Sequence, residues 1–374
     1  MDFELPGDRD PRRAAIRSWL ADHPRPSGRD LAEAGLVAPH WPAPWGRDAD
    51  PVTQLVIDDE LRRAAVRRPV NPIGIGWAGP TLVHAGTEAQ RRRYLMPLLA
   101  GEELWCQLFS EPGAGSDLAS LSTRAVRDGD TYVVTGQKVW TSLAHVARFG
   151  ILIARTDPEA PKQEGISYFV CPMDAPGITV RPIVEMTGEH LFNEVFLDEV
   201  RIPAANRVGA EGDGWRLAKV TLSNERVSLS GEGALWGRGP TADDVIDLAR
   251  RGGVTDAITR QRLASLYTES QILRLVRLRT VSAAVAGRVP GPEASIRKAL
   301  ADAHGQHVMA RARELMGTAG LLTDAGPLGA PAGEWTYGYL FAPALTIGGG
   351  TAEVQRNIIA ERVLGLPHDP DGQA

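Results

Sequence analysis

The stretch Gln107-Leu108-Phe109-Ser110-Glu111-Pro112-Gly113-Ala114-Gly115-Ser116-Asp117 lies where the periodicity of the chain changes. On its N-terminal side, apolar residues recur every three or four positions between loops rich in Pro and Gly. This pattern predicts a small helical domain that ends near Cys106. The predicted helices cover residues 12–21, 30–35, 52–66 and 87–99.

On its C-terminal side, short runs rich in β-branched and aromatic residues predict a compact β domain. These runs cover residues 131–135, 149–155, 166–171, 178–183 and 192–202. After Gly212, helical patterns over residues 215–235, 258–286, 292–316 and 353–364 predict an antiparallel bundle, with a short helix and exposed loop over 238–259. The predicted domains are therefore 1–106, 107–211 and 212–374.

Composition narrows the possible partners. The 374 residues carry a net charge of -5 without a basic block, which argues against a nucleic-acid partner. Cys106 and Cys171 are the two cysteines and lie far apart, so neither a zinc site nor a disulfide framework is predicted, and both are expected to be buried. No signal-peptide core and no apolar run that could cross a bilayer is present, so we expect a cytoplasmic enzyme.

Glu225 is an unexpected charge on an apolar helix face. The pattern over residues 217–229 places it between Leu222 and Leu229, on the side that should be buried. Burying a carboxylate is costly unless it is paired or protonated, so its presence needs a reason. A structural ion pair with Arg226 is one explanation, and a catalytic base is the other.

Three motifs carry the candidate chemistry. The Gly-rich turn within residues 107–117 bares backbone amides and hydroxyls suited to a ring edge or a phosphate, although it lacks Walker and dinucleotide-fold spacing. The second motif is Gly136-Gln137-Lys138-Val139-Trp140-Thr141-Ser142, and the third is Ile347-Gly348-Gly349-Gly350-Thr351-Ala352-Glu353-Val354-Gln355-Arg356. Alone, Trp140 would be interpreted as a core residue and the three glycines as a loop.

In this order, and with a helix, β and helix layout, the motifs resemble those of the acyl-CoA dehydrogenase family of flavoproteins over nearly the whole chain. The resemblance implies an α+β multidomain fold with an N-terminal helical domain, a middle antiparallel β-barrel domain and a C-terminal four-helix bundle. It also implies bound FAD between the β domain and the bundle. The residues that it assigns to the cofactor are Gln107, Phe109, Ser110, Gly115, Ser116, Trp140, Thr141, Ser142, Glu314, Gly317, Thr318, Thr351 and Glu353.

The resemblance also implies which carboxylate is the base. The commonest catalytic Glu of the family precedes the Gly-Thr pair, and that position is Gly349 here. A minority, resembling isovaleryl-CoA dehydrogenase, carries the Glu before an Arg on the first long helix of the bundle, as Glu225 and Arg226 do here. Glu225 would remove the α-proton of an acyl-CoA while the β-hydrogen leaves as hydride to flavin N5, giving a trans-2-enoyl-CoA.

The substrate contacts follow from the same resemblance. The backbone amide of Gly349 would stabilise the developing enolate oxygen, and Arg226 would balance the charge of the site. A solvent-facing polar helix turn is the alternative for the residues around Glu225. The residues assigned to the substrate are Ser116, Ser223, Asn224, Arg226 and Gly350.

One expected element is missing. The family has an Arg-x-x-Phe-Gly sequence that reaches the neighbouring subunit's flavin, and residues 238–259 contain none. Residues 314–320, the adenosine-binding stretch by resemblance, have Glu314 where Gln is frequent and Thr318 where Gly is frequent. A heterotetramer with a paralogous subunit, acting on a bulky or steroid side-chain acyl-CoA, is therefore predicted beside a simpler homotetramer.

Other functions share the fold. Acyl-CoA oxidases and related flavin enzymes are similar, and a non-catalytic subunit that completes the site of a paralogue is a further alternative. Retention of Glu225 argues against the inactive subunit, because that role does not need a buried acid. By resemblance the electron acceptor is an electron-transfer flavoprotein.

Overall fold

The computed structural model describes residues 5–228, 233–235, 239–285, 291–322 and 330–367. Within helices, the side chains of residues 226–228, 281, 284–285 and 330–333 are outside this description. The chain divides into two compact units, residues 1–185 with 190–225, and residues 186–189 with 226–374. The division into three domains stays a prediction.

The first unit begins with helices whose starts are fixed by polar side chains. Asp10, Asp50 and Thr87 accept hydrogen bonds from the backbone N–H groups of the first turns that follow them. The four predicted helices are confirmed, whereas residues 74–85 form a π-helical turn and a helix that the sequence did not predict, because glycines interrupt the apolar period. The helices are α1 (Pro11–Asp22), α2 (Gly28–Glu33), α3 (Pro51–Arg63), α4 (Gly79–Ala85) and α5 (Glu88–Ala100).

An eight-stranded sheet completes most of the first unit, in the order β6-β7-β3-β2-β4-β5-β8 with β1 beside β4. The sheet is mixed rather than wholly antiparallel, because β1 and β2 both run parallel to β4. Strands β1, β2 and β8 were not predicted, since they are short or polar. The strands are β1 (Trp105–Leu108), β2 (Arg124–Asp128), β3 (Thr131–Lys138), β4 (Phe149–Arg155), β5 (Ile166–Pro172), β6 (Ile178–Pro182), β7 (Asn193–Pro203) and β8 (Arg207–Val208).

At its centre, strands β4 and β5, the sheet is buried on both faces. Ile151 and Ile153 of β4 pack with the helices into one apolar cluster, while Leu152 and Ala154 of the same strand pack into a second cluster. This alternation is the period of two expected of a strand. Cys106 and Cys171 are buried, as predicted.

Helix α6 (Gly214–Ser228) is joined to the first unit up to Glu225. Its Leu217 and Ala218 are fully buried in the cluster that contains the N-terminal helices. The Thr221 hydroxyl lies 2.8 Å from the Thr81 hydroxyl of α4 and 3.0 Å from the Tyr168 hydroxyl of β5. These buried hydrogen bonds fix one face of α6, and Glu225 is one turn further along that face.

The second unit is organised around one helix. Helix α9 packs against α7, α8, α10 and α11, as expected of a bundle. Helix α10 was not predicted, because its sequence contains Pro and two glycines and lacks a clear apolar period. The helices are α7 (Ala242–Arg251), α8 (Ala257–Val285), α9 (Ala294–Met316), α10 (Ala330–Phe341) and α11 (Ala352–Ile358). A search of the described residues finds no helix with the length and apolarity that a membrane span requires.

Candidate active site

Glu225 is buried, with 5% of its surface exposed. Gln107 of β1 donates a long hydrogen bond of 3.5 Å from Nε2 to Oε2 of Glu225. The Glu225 carboxylate therefore lies on the buried face of α6, as the helical period predicted. A strand residue and a helix residue that are 118 positions apart are thus brought together in one polar site.

The residues beside Glu225 bond back to their own helix. The Ser223 hydroxyl donates to the Lys219 carbonyl at 2.8 Å, and the Asn224 side chain donates to the Val220 carbonyl at 2.9 Å. Ser223 is exposed and Asn224 is half-buried. The backbone of Arg226 continues the helix, but its side chain lies outside the described residues.

The turn after β1 is held close to the end of β3. The Ser110 carbonyl accepts a hydrogen bond from the Val139 N–H at 2.9 Å. Glu111 and Ala114 exchange two backbone hydrogen bonds of 3.0 and 3.1 Å, which closes the turn. Phe109 is buried against Tyr168, whereas Gly115 and Ser116 are exposed. The turn is therefore closed by backbone hydrogen bonds and anchored by a buried Phe109, while the backbone of Gly115 and the hydroxyl of Ser116 remain accessible.

The segment after β3 has an unusual backbone. Trp140 has φ of 58° and Leu143 has φ of 61°, in the left-handed region that residues with a side chain rarely occupy. Trp140 is 60% exposed, so its interpretation as a core residue was wrong. Thr141 between them is fully buried, and Ser142 is half-buried.

Asn193 of β7 holds this segment. Its carbonyl accepts from the Thr141 N–H at 3.0 Å, and its side-chain amide donates to the Thr141 carbonyl at 3.0 Å. Sequence reasoning missed this residue, although a polar Asn at the start of a predicted β run was a usable signal. Two reciprocal hydrogen bonds therefore stabilise a backbone that would otherwise be strained.

Two buried polar atoms test whether a flavin fits here. Gln107 Oε1 and Thr141 Oγ1 are buried and have no hydrogen-bond partner among the described residues. Buried polar groups are normally satisfied, so such atoms need a ligand or water. A flavin ring carries both N–H donors and carbonyl acceptors along its edge, and these orphaned atoms are of the type that would pair with them.

The second unit places the glycine loop at the start of α11. Gly349 and Gly350 have φ of 69° and 91°, which glycine tolerates without a steric penalty. The Gln355 side chain donates to both of their carbonyls at 3.2 Å, a role that the sequence did not predict. Thr351 is the N-cap of α11 and accepts from the Val354 N–H at 3.3 Å. Glu353 is exposed.

The stretch assigned to adenosine lies at the end of α9 and is open to solvent. Glu314 is exposed and forms an ion pair with Arg311. Gly317 follows the last residue of α9 with φ of 55° and begins a 3₁₀ turn, in which Gly317 and Thr318 are both exposed. In the described part of the second unit, these residues therefore form a surface and not an enclosed site.

The chain thus combines N-terminal helices, a mixed sheet with a buried carboxylate beside it, and a bundle of C-terminal helices. The N-terminal, middle and C-terminal domain models of acyl-CoA dehydrogenase match residues 10–102, 106–200 and 212–364. The chain therefore belongs to the acyl-CoA dehydrogenase family of flavoprotein oxidoreductases.

Two curated relatives come from Mycobacterium tuberculosis (strain ATCC 25618 / H37Rv). Acyl-CoA dehydrogenase FadE34 is 46% identical over 337 residues, which are 90% of this chain but 45% of FadE34, so the chain spans less than half of that relative. Acyl-CoA dehydrogenase IpdE1 is 39% identical over 96% of this chain and 98% of its own length.

Two solved structures are similar along the whole chain. The steroid ACAD named Tcur3481-Tcur3483 is 32% identical, with a TM-score of 0.82 over 99% of this chain and 100% of that one. The ChsE4-ChsE5 complex from Mycobacterium tuberculosis is 31% identical, with a TM-score of 0.79 over 99% of this chain and 100% of that one.

Proposed function

We propose that this protein uses FAD to dehydrogenate an acyl-CoA thioester between its α and β carbons, with Glu225 as the base. The observation that supports this most directly is the burial of Glu225 on α6 beside Gln107 of β1, together with glycine at position 349. A carboxylate is costly to bury, and a role in proton transfer would explain why this one is retained.

Glu225 takes the proton from the carbon next to the thioester carbonyl. FAD, when bound, supplies the acceptor for the hydride that leaves the β carbon, so two electrons and both hydrogens are accounted for in a trans-2-enoyl-CoA product. The backbone N–H of Gly349 donates to the thioester oxygen as negative charge develops there. Glu225 is buried, so little of its carboxylate is exposed to water.

The residues proposed to hold the cofactor come from both units. In the first unit these are Gln107, Phe109, Ser110, Gly115, Ser116, Trp140, Thr141 and Ser142. In the second they are Glu314, Gly317, Thr318, Thr351 and Glu353. We assign Ser116, Ser223, Asn224, Arg226 and Gly350 to the substrate.

Anaerobic mixing with an acyl-CoA tests the base. Wild-type holoprotein should lose its flavin absorbance, and Glu225→Gln should bind the ligand but lose absorbance about 10²- to 10⁴-fold more slowly. Glu159→Gln, at an exposed loop position, is the matched control and should react like wild type. An undiminished rate of flavin bleaching in Glu225→Gln would show that Glu225 is not the base.

We also propose that the functional enzyme contains a paralogous partner subunit, in a heterotetramer. The missing Arg-x-x-Phe-Gly sequence and the exposed ion-paired Glu314 support this, because the in-trans half of a cofactor site would then need another chain. The two-component names of Tcur3481-Tcur3483 and ChsE4-ChsE5 are in keeping with it. A bulky or steroid side-chain thioester is the proposed substrate class, and an electron-transfer flavoprotein is the proposed acceptor.

Purification with and without a co-expressed paralogue tests the partner. The expected result is that FAD content and turnover rise when both chains are present. If the single chain purifies as a homotetramer with one FAD per subunit and full turnover, the partner proposal is wrong.

A further inference from the structure

A lysine lies on the core face of strand β3. Tyr132, Val134 and Lys138 occupy alternate positions of this strand and are all buried, and Lys138 is fully enclosed. A charge at a position where the strand period calls for an apolar residue is costly unless it is paired and hydrogen-bonded. The contacts of its ammonium group therefore indicate its purpose.

The Lys138 ammonium joins the two segments that the proposed function assigns to the flavin. Its Nζ donates to the Phe109 carbonyl at 3.0 Å and to Glu111 Oε1 at 2.9 Å. The next residue along, Val139, donates its N–H to the Ser110 carbonyl at 2.9 Å. Three consecutive residues of the turn after β1 are thus bonded to two consecutive residues at the end of β3.

Glu111 extends this linkage to the far end of the turn. Its Oε2 accepts from the N–H and hydroxyl of Ser122 at 2.6 and 2.8 Å, and its Oε1 also accepts from the Thr123 N–H at 2.9 Å. The carboxylate therefore fixes both the start and the end of the loop over residues 111–123. Lys138 is the group that connects this loop to the strand preceding Trp140.

We propose that Lys138 is a positioning residue of the cofactor site, which holds the turn with Ser110 and the segment with Trp140 and Thr141 at one separation suited to the isoalloxazine ring. This inference rests on the proposed function, since that function supplies the flavin. Lys138 itself is enclosed in protein and acts through the backbones of Phe109 and Ser110. Preorganised segments of this kind lower the entropy lost when a ligand binds.

Titration of the apoprotein, co-purified with its paralogue, with FAD, followed by flavin fluorescence, tests the proposal without measuring activity. Lys138→Met keeps the length of the side chain but removes the ammonium, and should weaken FAD binding by about 10-fold or more. Lys162→Met is the matched control, because Lys162 pairs with Asp117 at the edge of the same loop at 2.5 Å but is half exposed. It should bind FAD within about 2-fold of wild type.

A double variant separates positioning from stability. Lys138→Met leaves Glu111 as a buried unpaired charge, and adding Glu111→Gln removes that charge. The glutamine keeps an acceptor oxygen for one of the Ser122 and Thr123 N–H groups, which bond to different carboxylate oxygens in the wild type. We expect the double variant to recover part of the thermal midpoint lost by Lys138→Met but not the affinity for FAD. We expect Lys138→Arg, which keeps the charge with a different shape, to recover part of the affinity.

The outcomes distinguish this inference from the proposed function. If wild type binds FAD and the folded double variant binds it equally well, Lys138 is only structural and this inference is wrong. If wild-type protein, with its paralogue present, takes up no FAD, the proposed function fails and the inference fails with it.

Discussion

Each unit of this protein buries a lysine and carboxylate pair, and the two carboxyl groups shift their pKa values in opposite directions. In the first unit, Lys138 pairs with Glu111 at 2.9 Å, with side chains 0% and 4% exposed. In the second, Lys298 pairs with Asp302 at 2.6 Å, with side chains 3% and 6% exposed. Burial and the sign of the partner are the same, so neither explains the difference.

The hydrogen-bond donors around each carboxylate explain why the pKa of Glu111 falls and that of Asp302 rises. Burial raises the pKa of Glu111, but the Lys138 charge and the donors of Thr123 and Ser122 outweigh burial and hold the pKa at about 2. Burial also raises the pKa of Asp302, where Lys298 is the opposing group, and the pKa stays at about 6. The Glu111 carboxylate therefore stays ionised to lower pH than the Asp302 carboxylate, because backbone N–H groups reach Glu111 in addition to an ammonium.

The lysine of the first pair is affected as well. Burial lowers the pKa of Lys138 to about 8, against the opposing effect of Glu111. Both groups are therefore charged at neutral pH, and the pair is kept although an apolar pair of the same size would cost less to bury.

The largest expected effect is on the first pair. Glu111→Gln leaves Lys138 without its counter-charge and should lower the free energy of unfolding by about 3–5 kcal/mol. Asp302→Asn also leaves a buried lysine, Lys298, without its counter-charge. The loss should be smaller, about 1–3 kcal/mol, because Asp302 is held by Lys298 without the backbone donors that reach Glu111 in the described residues. Denaturant unfolding of the two variants at pH 7.5 measures the difference in free energy of unfolding. Equal losses in the two variants would show that the two pairs do not differ in their contribution to stability.

A second, smaller effect is the dependence of stability on pH. The folded pKa of Asp302 lies above the ordinary value of 3.8, so the folded state binds more protons between pH 4 and 6. Its contribution is therefore present at low pH and is lost as pH rises through about 6, by on the order of 3 kcal/mol. Glu111 has the opposite sign, because its stabilisation is lost as pH falls from 4.5 towards 2.

Hydrogen exchange of the α9 amides between pH 4 and 7, corrected for intrinsic rates, measures this effect. Protection of α9 should decrease with rising pH in wild type and stay level in Asp302→Asn. Glu159→Gln should retain the wild-type slope, because this exposed loop residue belongs to the first unit. A slope that persists in Asp302→Asn would assign the titration to another group.

How far the sequence predicted this molecule depends on whether the interactions are local. The period of α6 placed Glu225 on a buried face, and the structure confirms this because helix periodicity is a local property. The Thr351 cap of α11 was predictable for the same reason. Strand β1 was missed because four residues give too few alternations to count.

Interactions between distant residues could not be predicted. The position of Gln107 against Glu225, and that of Asn193 against Thr141, depend on strand order and register, which one sequence does not reveal. Trp140 was interpreted alone as core because it is large and apolar, yet its left-handed backbone turns it to the surface. Lys138 was present in a motif, but its burial follows only from the pairing of the strands.

The smallest expected effect tests whether donors control the first pair. The Ser122 hydroxyl donates to Glu111 at 2.8 Å, so Ser122→Ala removes one donor while leaving Lys138 and the backbone N–H groups in place. The free energy of unfolding should fall by about 1 kcal/mol, since Ser122 is partly accessible to water. Ser120→Ala, which removes an exposed hydroxyl bonded to Asp117, should change it by less than about 0.5 kcal/mol.

The acid limb of the stability curve should also move to higher pH in Ser122→Ala, because the pKa of Glu111 rises when a donor is lost. An unmoved acid limb would show that the Ser122 hydroxyl does not lower the pKa of Glu111, and that Lys138 and the backbone N–H groups of Ser122 and Thr123 hold the carboxylate ionised without it.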